Sequence, residues 1–319
     1  MLRLFVIVLM DDVWSSIMGY FYSLVLRAGW IGMKTVDVDC SLGYLVNQKS
    51  EFIIQIQAAN HPWQRVISES LDLAGITPES FVDITGQNRM FRFSGHPGPI
   101  EMRYRATVEV NMPPRNYRAE EMDVADLPTD VLHYLLPSRY CESDLISAMA
   151  QRTFGNLPRG FSRVEAICNW IKNNVVYEIG SSYASTTARE VLVNRAGVCR
   201  DFAHLGIAFC RALNIPARFV FGHTEFPDPP PDFHAVFEAF LGGEWILFDA
   251  TKMAPLDKIV RIGTGTDAKD VAFSTMYGDV QMTYLKPLVR DHIVGQSAEF
   301  EQVDDFIGAE SNTSIKAGH

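Results

Sequence analysis

Gly197-Val198-Cys199-Arg200-Asp201-Phe202-Ala203-His204 puts a single cysteine where a glycine-bearing turn passes into an apolar helix. A helix N-terminus presents unpaired N–H groups and a positive partial charge, so a thiolate at Cys199 forms more readily there and is positioned to attack a carbonyl. Apolar residues continue to Leu213, after which Asn214 and Pro216 stop the helix. Its two apolar sides predict a buried central helix.

Downstream of that helix, Phe219-Val220-Phe221 reads as a strand and Glu225 to Asp232 as a loop stiffened by Pro227, Pro229, Pro230 and Pro231, a candidate cleft wall. His234 to Phe240 and Trp245 to Asp249 are two more strands around Gly242-Gly243. Gly-Gly favours a two-residue hairpin turn, which sets Leu241 opposite Glu244 and, by counting back, Val236 opposite Asp249 and His234 opposite Thr251. His234 and Asp249 then share a face as diagonal neighbours, about 7 to 8 Å apart at the backbone and within side-chain reach. A three-residue turn would put them on opposite faces.

Upstream, Ser143 with Asp144 can cap a helix past Met149, Ser162 with Glu165 forms a capping box, and Thr187 with Glu190 forms another. Val175-Val176-Tyr177 reads as a short strand, and Asn194 to Gly197 as a turn. Residues 33–115 look different, alternating at period two, most clearly from Ile100 to Val110, with glycines and prolines between the runs. The division predicted is an N-terminal all-β domain over 33–115, a connector over 116–142, an α+β catalytic core over 143–290 and an acidic, disordered tail over 291–319. Residues 1–32 hold two apolar runs split by Asp11-Asp12, each short of the roughly 20 residues that span a bilayer. They read as an upstream extension with Met33 as the natural start, and no stable membrane insertion is expected.

Composition narrows the function. With 319 residues and 47% hydrophobic content the chain buries a substantial core, and a net charge of -10 with interspersed signs argues against nucleic acid as partner. Five scattered cysteines (Cys40, Cys141, Cys168, Cys199, Cys210), none in a CxxC pair, point to a reducing, cytoplasmic setting and to neither a disulfide framework nor a structural zinc. No cofactor and no metal are expected.

A cysteine, a histidine and an aspartate in one constellation can perform nucleophilic amide chemistry: the imidazole takes the thiol proton, and the carboxylate fixes the tautomer. Ala188-Arg189-Glu190-Val191-Leu192, Gly197 to Ala203, Asp232-Phe233-His234-Ala235 and Phe248-Asp249-Ala250-Thr251 resemble the core motifs of the transglutaminase-like superfamily. Gly265 to Phe273, with Tyr277-Gly278, resembles a segment that follows the aspartate in a bacterial branch whose members carry an N-terminal β domain. The resemblance implies a papain-like α+β core with the nucleophile helix packed on an antiparallel sheet. It also implies Cys199, His234 and Asp249 as the catalytic triad, and a protein or peptide substrate cleaved through a thioester. Calcium dependence is not carried over, because the chain has no EF-hand loop.

Three other outcomes stay open: an amine acceptor in place of water, a catalytically silent binding protein on the same fold, and a metal held by Cys199, His234 and Asp249. The four remaining cysteines read as buried hydrophobes. His204 reads as a structural hydrogen-bonder, Asp201 as a cap or an ion-pair partner of Arg200 or Arg218, and Tyr177 and Tyr183 as residues shaping the cleft.

Overall fold

Strand β1 (Lys34–Val46) is the spine of the N-terminal unit, pairing along its length with β6 (Gly98–Val110) on one side and with the C-terminal strand β14 (Val280–Asp291) on the other. The computed structural model describes residues 33–225 and 232–293. The extension over 1–32, the centre of the Pro-rich loop and the tail beyond 293 lie outside the described residues.

With β3 (Gln64–Asp72), these strands make an antiparallel sheet in the order β14-β1-β6-β3. A second antiparallel sheet runs β13-β2-β5-β4, from Ser274–Tyr277, Ser50–Ile54, Arg89–Gly95 and Glu79–Val82. The expected alternation is seen in β6: Ile100, Met102, Tyr104, Ala106, Val108 and Val110 are buried, while Glu101, Arg103, Arg105, Thr107 and Glu109 are less so. Phe52 and Phe93 stack at 4.6 Å in the same core.

One feature departs from the sequence division. Ser274–Asp291, placed by the sequence mostly in the catalytic core, supplies β13 and β14 to the two sheets of the N-terminal unit. Without them, one edge each of β1 and β2 would expose unpaired N–H and C=O groups. This long-range pairing leaves no trace in local periodicity.

The second unit holds helices α1 (Ser143–Phe154), α2 (Phe161–Asn174), α3 (Ala188–Asn194) and α4 (Cys199–Ala212). They accompany an antiparallel sheet in the order β11-β10-β9-β12, from Glu244–Phe248, His234–Leu241, Ala217–His223 and Val260–Gly265. Every residue from Asp201 to Arg211 in α4 is buried, as is every residue of β10. Gly242 and Gly243 have φ of +59° and +86°, the left-handed values a primed two-residue turn needs, and Leu241 does pair with Glu244. No helix among the described residues is long and apolar enough to cross a membrane.

The helix starts differ in part from expectation. Thr187 and Glu190 form the full capping box of α3. Ser162 and Glu165 do not cap α2, which begins one residue earlier at Phe161: the Phe161 N–H is taken by the connector carbonyl of Ala119 at 2.9 Å, and Glu165 pairs with Lys252. Ser143 is likewise the first helical residue of α1 and gives no side-chain cap. The connector therefore acts as a clasp, with Glu121 accepting from Arg159, Arg163 and the Gly160 N–H, and Glu120 O accepting from Gly242 N–H. Instead of a plain turn after α3, Ala196–Gly197 forms β8, parallel to β7 (Val176–Tyr177).

Candidate active site

Cys199 is the first residue of α4, following the extended Val198. Asp201 fixes this start: its buried carboxylate accepts the Val198 N–H at 2.9 Å and also meets the Arg200 guanidinium at 3.3 Å. A Cβ on Gly197 would stand 2.8 Å from the Asp201 Cβ, so only glycine lets the incoming strand lie this close to the cap. Asp201 is thus both cap and partner of Arg200, whereas Arg218 pairs with Glu238 at 2.6 Å. Arg200 also ties the preceding loop to the helix through Ser182 Oγ at 2.5 Å and the Tyr183 carbonyl at 2.7 Å.

Of the five cysteines, Cys199 alone is partly exposed. Burial drives the other thiols away from ionisation, pushing Cys141 up to about 12 and raising Cys40, Cys168 and Cys210 as well. The Cys199 Sγ lies 3.8 Å from the Phe233 carbonyl, next to His234.

His234 opens β10, paired with Gly222 of β9, and is fully buried. Pairing of Phe237 with Phe248 carries the ladder to the residue before Asp249, and His234 Nε2 lies 3.1 Å from Asp249 Oδ2. The Asp249 carboxylate is cradled: Oδ1 accepts the Thr251 N–H at 2.8 Å and its hydroxyl at 2.7 Å, and Oδ2 accepts the N–H groups of Met253 and Ala254 at 3.1 and 3.2 Å. Burial favours the neutral acid, but the bond and charge of His234 outweigh it and hold Asp249 at about 2. For His234, burial disfavours the cation, yet hydrogen bonds to Asp249 and the Cys199 side chain, with their charges, raise it to about 9.

The β10–β11 hairpin therefore brings His234 and Asp249 together, and the start of α4 sets Cys199 beside Phe233, the residue before His234. His204 is structural, accepting the Ala268 N–H at 3.1 Å and stacking on Tyr140 at 5.0 Å. Tyr183 is exposed, its carbonyl engaged by Arg200. Sequence reading missed the cradle under Asp249, although an aspartate two residues before a threonine is the spacing of a side-chain turn and could have signalled it. Tyr177 is half-buried and rests against Phe202 of the first turn of α4, ring centroids 5.8 Å apart.

A partly exposed thiol at a helix start, facing a histidine–aspartate hairpin on an antiparallel sheet, defines the papain-like type of core. Residues 147–250 match the family model of the transglutaminase-like superfamily, and residues 33–130 match that of the bacterial transglutaminase N-terminal domain. A solved structure from Cytophaga hutchinsonii, described as a candidate cysteine protease, is 38% identical with a TM-score of 0.79, the match covering 83% of this chain and 93% of that one. The chain belongs to the transglutaminase-like superfamily. An uncharacterised protein of Mycobacterium leprae is 29% identical over 119 residues, covering 34% of this chain and 42% of that protein. One from Mycobacterium bovis is 34% identical over 116 residues, covering 32% and 37%. The aligned region thus spans about two fifths of the length of these mycobacterial relatives.

Proposed function

We propose that the protein is a cysteine hydrolase that cleaves amide bonds of a protein or peptide substrate through Cys199, His234 and Asp249. The observation that carries this reading is the 3.1 Å contact of His234 with Asp249, on an imidazole next in the chain to Phe233, whose carbonyl lies 3.8 Å from the Cys199 Sγ. With Nε2 committed to Asp249, the proton passes between sulfur and Nδ1. The Cys199 thiolate adds to the amide carbon, and the carbonyl π pair moves onto oxygen near the Cys199 N–H. Collapse re-forms the carbonyl, breaks the C–N bond and sends the amine away with the proton from His234. Water, deprotonated by His234, then hydrolyses the thioester and returns the thiol. Five cysteines without a disulfide support a reducing, cytoplasmic site of action.

The test runs a peptide-cleavage assay beside incorporation of a fluorescent primary amine into a glutamine-bearing protein. Cleavage that disappears in Cys199→Ala is the expected result. Strong incorporation without cleavage would replace hydrolysis by amine transfer, and activity unchanged in Cys199→Ala would remove the triad altogether.

A further inference from the structure

Asp249 also walls a cavity of about 510 Å³ that neither Cys199 nor His234 lines. It lies where residues 112–116, leaving β6, pass the edge strand β11 and the start of β3. Two half-buried tryptophans line it, and both rings are held in place: Trp63 meets His61 edge-on at 5.0 Å, and Trp245 carries the Arg218 guanidinium 4.0 Å from its centroid. Every charged side chain around the cavity but one has a side-chain partner. Asp249 is engaged by His234, Lys252 by Glu165 and Asp257 by Lys34, and Glu244 accepts the Asn116 side-chain amide at 2.9 Å. The exception is Arg115. Its half-buried guanidinium lies 5.0 and 5.3 Å from the rings of Phe161 and Phe248, Nη2 donates to the Leu247 carbonyl at 3.1 Å, and Nε is buried with no hydrogen-bond partner.

A guanidinium donates in its own plane, so rings over its faces leave the terminal N–H groups to meet a ligand and leave its charge uncompensated. The group that answers both needs is a carboxylate, planar and singly charged. A second negative charge is opposed by Glu244 and Asp257, which line the same cavity, so a phosphate dianion or a di-acid fits less well. The tryptophans call for a flat apolar body behind the carboxylate, and the volume falls in the ordinary range of small-molecule sites. We infer that this cavity binds a small arylalkanoic carboxylate, its carboxylate on Arg115 and its ring against Trp63 and Trp245. The inference does not rest on the hydrolase reading, since it uses neither Cys199 nor His234. The site nonetheless shares a wall with the triad: Ala254, whose N–H meets Asp249 Oδ2 at 3.2 Å, lines it too.

Two probes of one shape separate charge recognition from greasy adsorption: 3-phenylpropionate and its neutral amide, 3-phenylpropionamide, titrated into the full chain by saturation-transfer NMR. The acid should bind with a Kd of about 1 mM or below, the strength open to a ligand of this size. The amide should bind at least about tenfold more weakly, having lost a charge-assisted hydrogen bond. In Arg115→Gln the acid should fall to the level of the amide. Equal binding of acid and amide by the wild type, or no binding of the acid, overturns the inference. Because Arg115 also packs on Phe161 and Phe248, its replacement may not fold; Ala254→Phe keeps Arg115 and fills the cavity, and it must abolish binding of the acid. Acid binding that survives in Ala254→Phe places the probe elsewhere and overturns the inference as well. Protein alkylated at Cys199 by iodoacetamide should bind the acid as the untreated protein does. Loss of binding there would put the probe in the catalytic cleft and sink this site while leaving the hydrolase reading intact; absence of peptide cleavage with acid binding preserved would do the reverse.

Discussion

Leu241 lies opposite Glu244 across a two-residue turn, and that pairing puts His234 and Asp249 on one face of the β10–β11 hairpin. Side chains on a strand alternate, so a slip of one residue would carry Asp249 to the other face. Gly242 and Gly243 hold the register because both adopt left-handed φ values.

Gly243→Val should therefore destabilise the protein by about 1–2 kcal/mol, the cost of forcing a side chain with a Cβ into the left-handed region. Urea unfolding measures it. Space is not the issue, since nothing lies within 4 Å of a Cβ at this position. Wild-type stability in the variant would mean that the turn does not set the register.

Much of the site was legible in the sequence because its parts are local. The Cys199 helix announces itself by a turn, an apolar run and an Asn-Pro stop, and the hairpin is fixed by Gly-Gly counting. What was hidden depends on partners far along the chain. Ser162 and Glu165 look like a cap, but the Phe161 N–H already has the Ala119 carbonyl, and Glu165 is drawn to Lys252. The edges of β1 and β2 are closed by strands more than two hundred residues away in sequence, and no local pattern encodes that pairing. Tyr177 reads from sequence as a residue shaping the cleft, but the parallel match to Gly197, which sets its ring against Phe202 in the first turn of α4, has no local signal.

Asp249→Asn should change how stability depends on pH. His234 is raised from 6.5 to about 9, so its contribution is fully present below about pH 6.5 and is lost as pH rises through 9. Asp249 is lowered from 3.8 to about 2, so its contribution is present above about pH 4 and is lost as pH falls through 2. The pair is at full strength between about pH 4 and 6.5. Urea unfolding at pH 6, 7.5 and 9 should show a decline in the wild type that flattens in Asp249→Asn; equal slopes would mean that Asp249 does not raise His234. Acylation by p-nitrophenyl acetate should drop by about 10²- to 10⁴-fold, because the imidazole loses the partner that fixes its tautomer.

The cysteines should divide under iodoacetamide. Cys199 is partly exposed, while Cys40, Cys141, Cys168 and Cys210 are buried and raised in pKa. Mass spectrometry of briefly treated native protein should find the label on Cys199, and Cys199→Ala should be unlabelled until urea exposes the rest. Rapid labelling of a second cysteine in folded protein would contradict the burial described.

Glu238 offers the sharpest stability test, because it is fully buried on the strand that begins with His234 and is clamped by two cations. Arg218 Nε lies 2.6 Å from Oε2 and Arg261 Nη2 lies 2.5 Å from Oε1, while the Arg218 guanidinium sits 4.0 Å above the Trp245 ring. Burial favours the neutral acid, but the two guanidinium groups prevail and hold Glu238 at about 2. Glu238→Ala removes the anion, leaving the buried Arg261 and the half-buried Arg218 without their carboxylate, and about 3–5 kcal/mol of stability should go with it. Replacing Glu238, Arg218 and Arg261 together by Leu and Met should recover most of that loss, since a buried ion cluster holds a fold little better than well-packed hydrophobes. Urea denaturation of the single and triple variants decides it: a triple variant as unstable as Glu238→Ala would mean that the cluster contributes net stability to the sheet carrying His234.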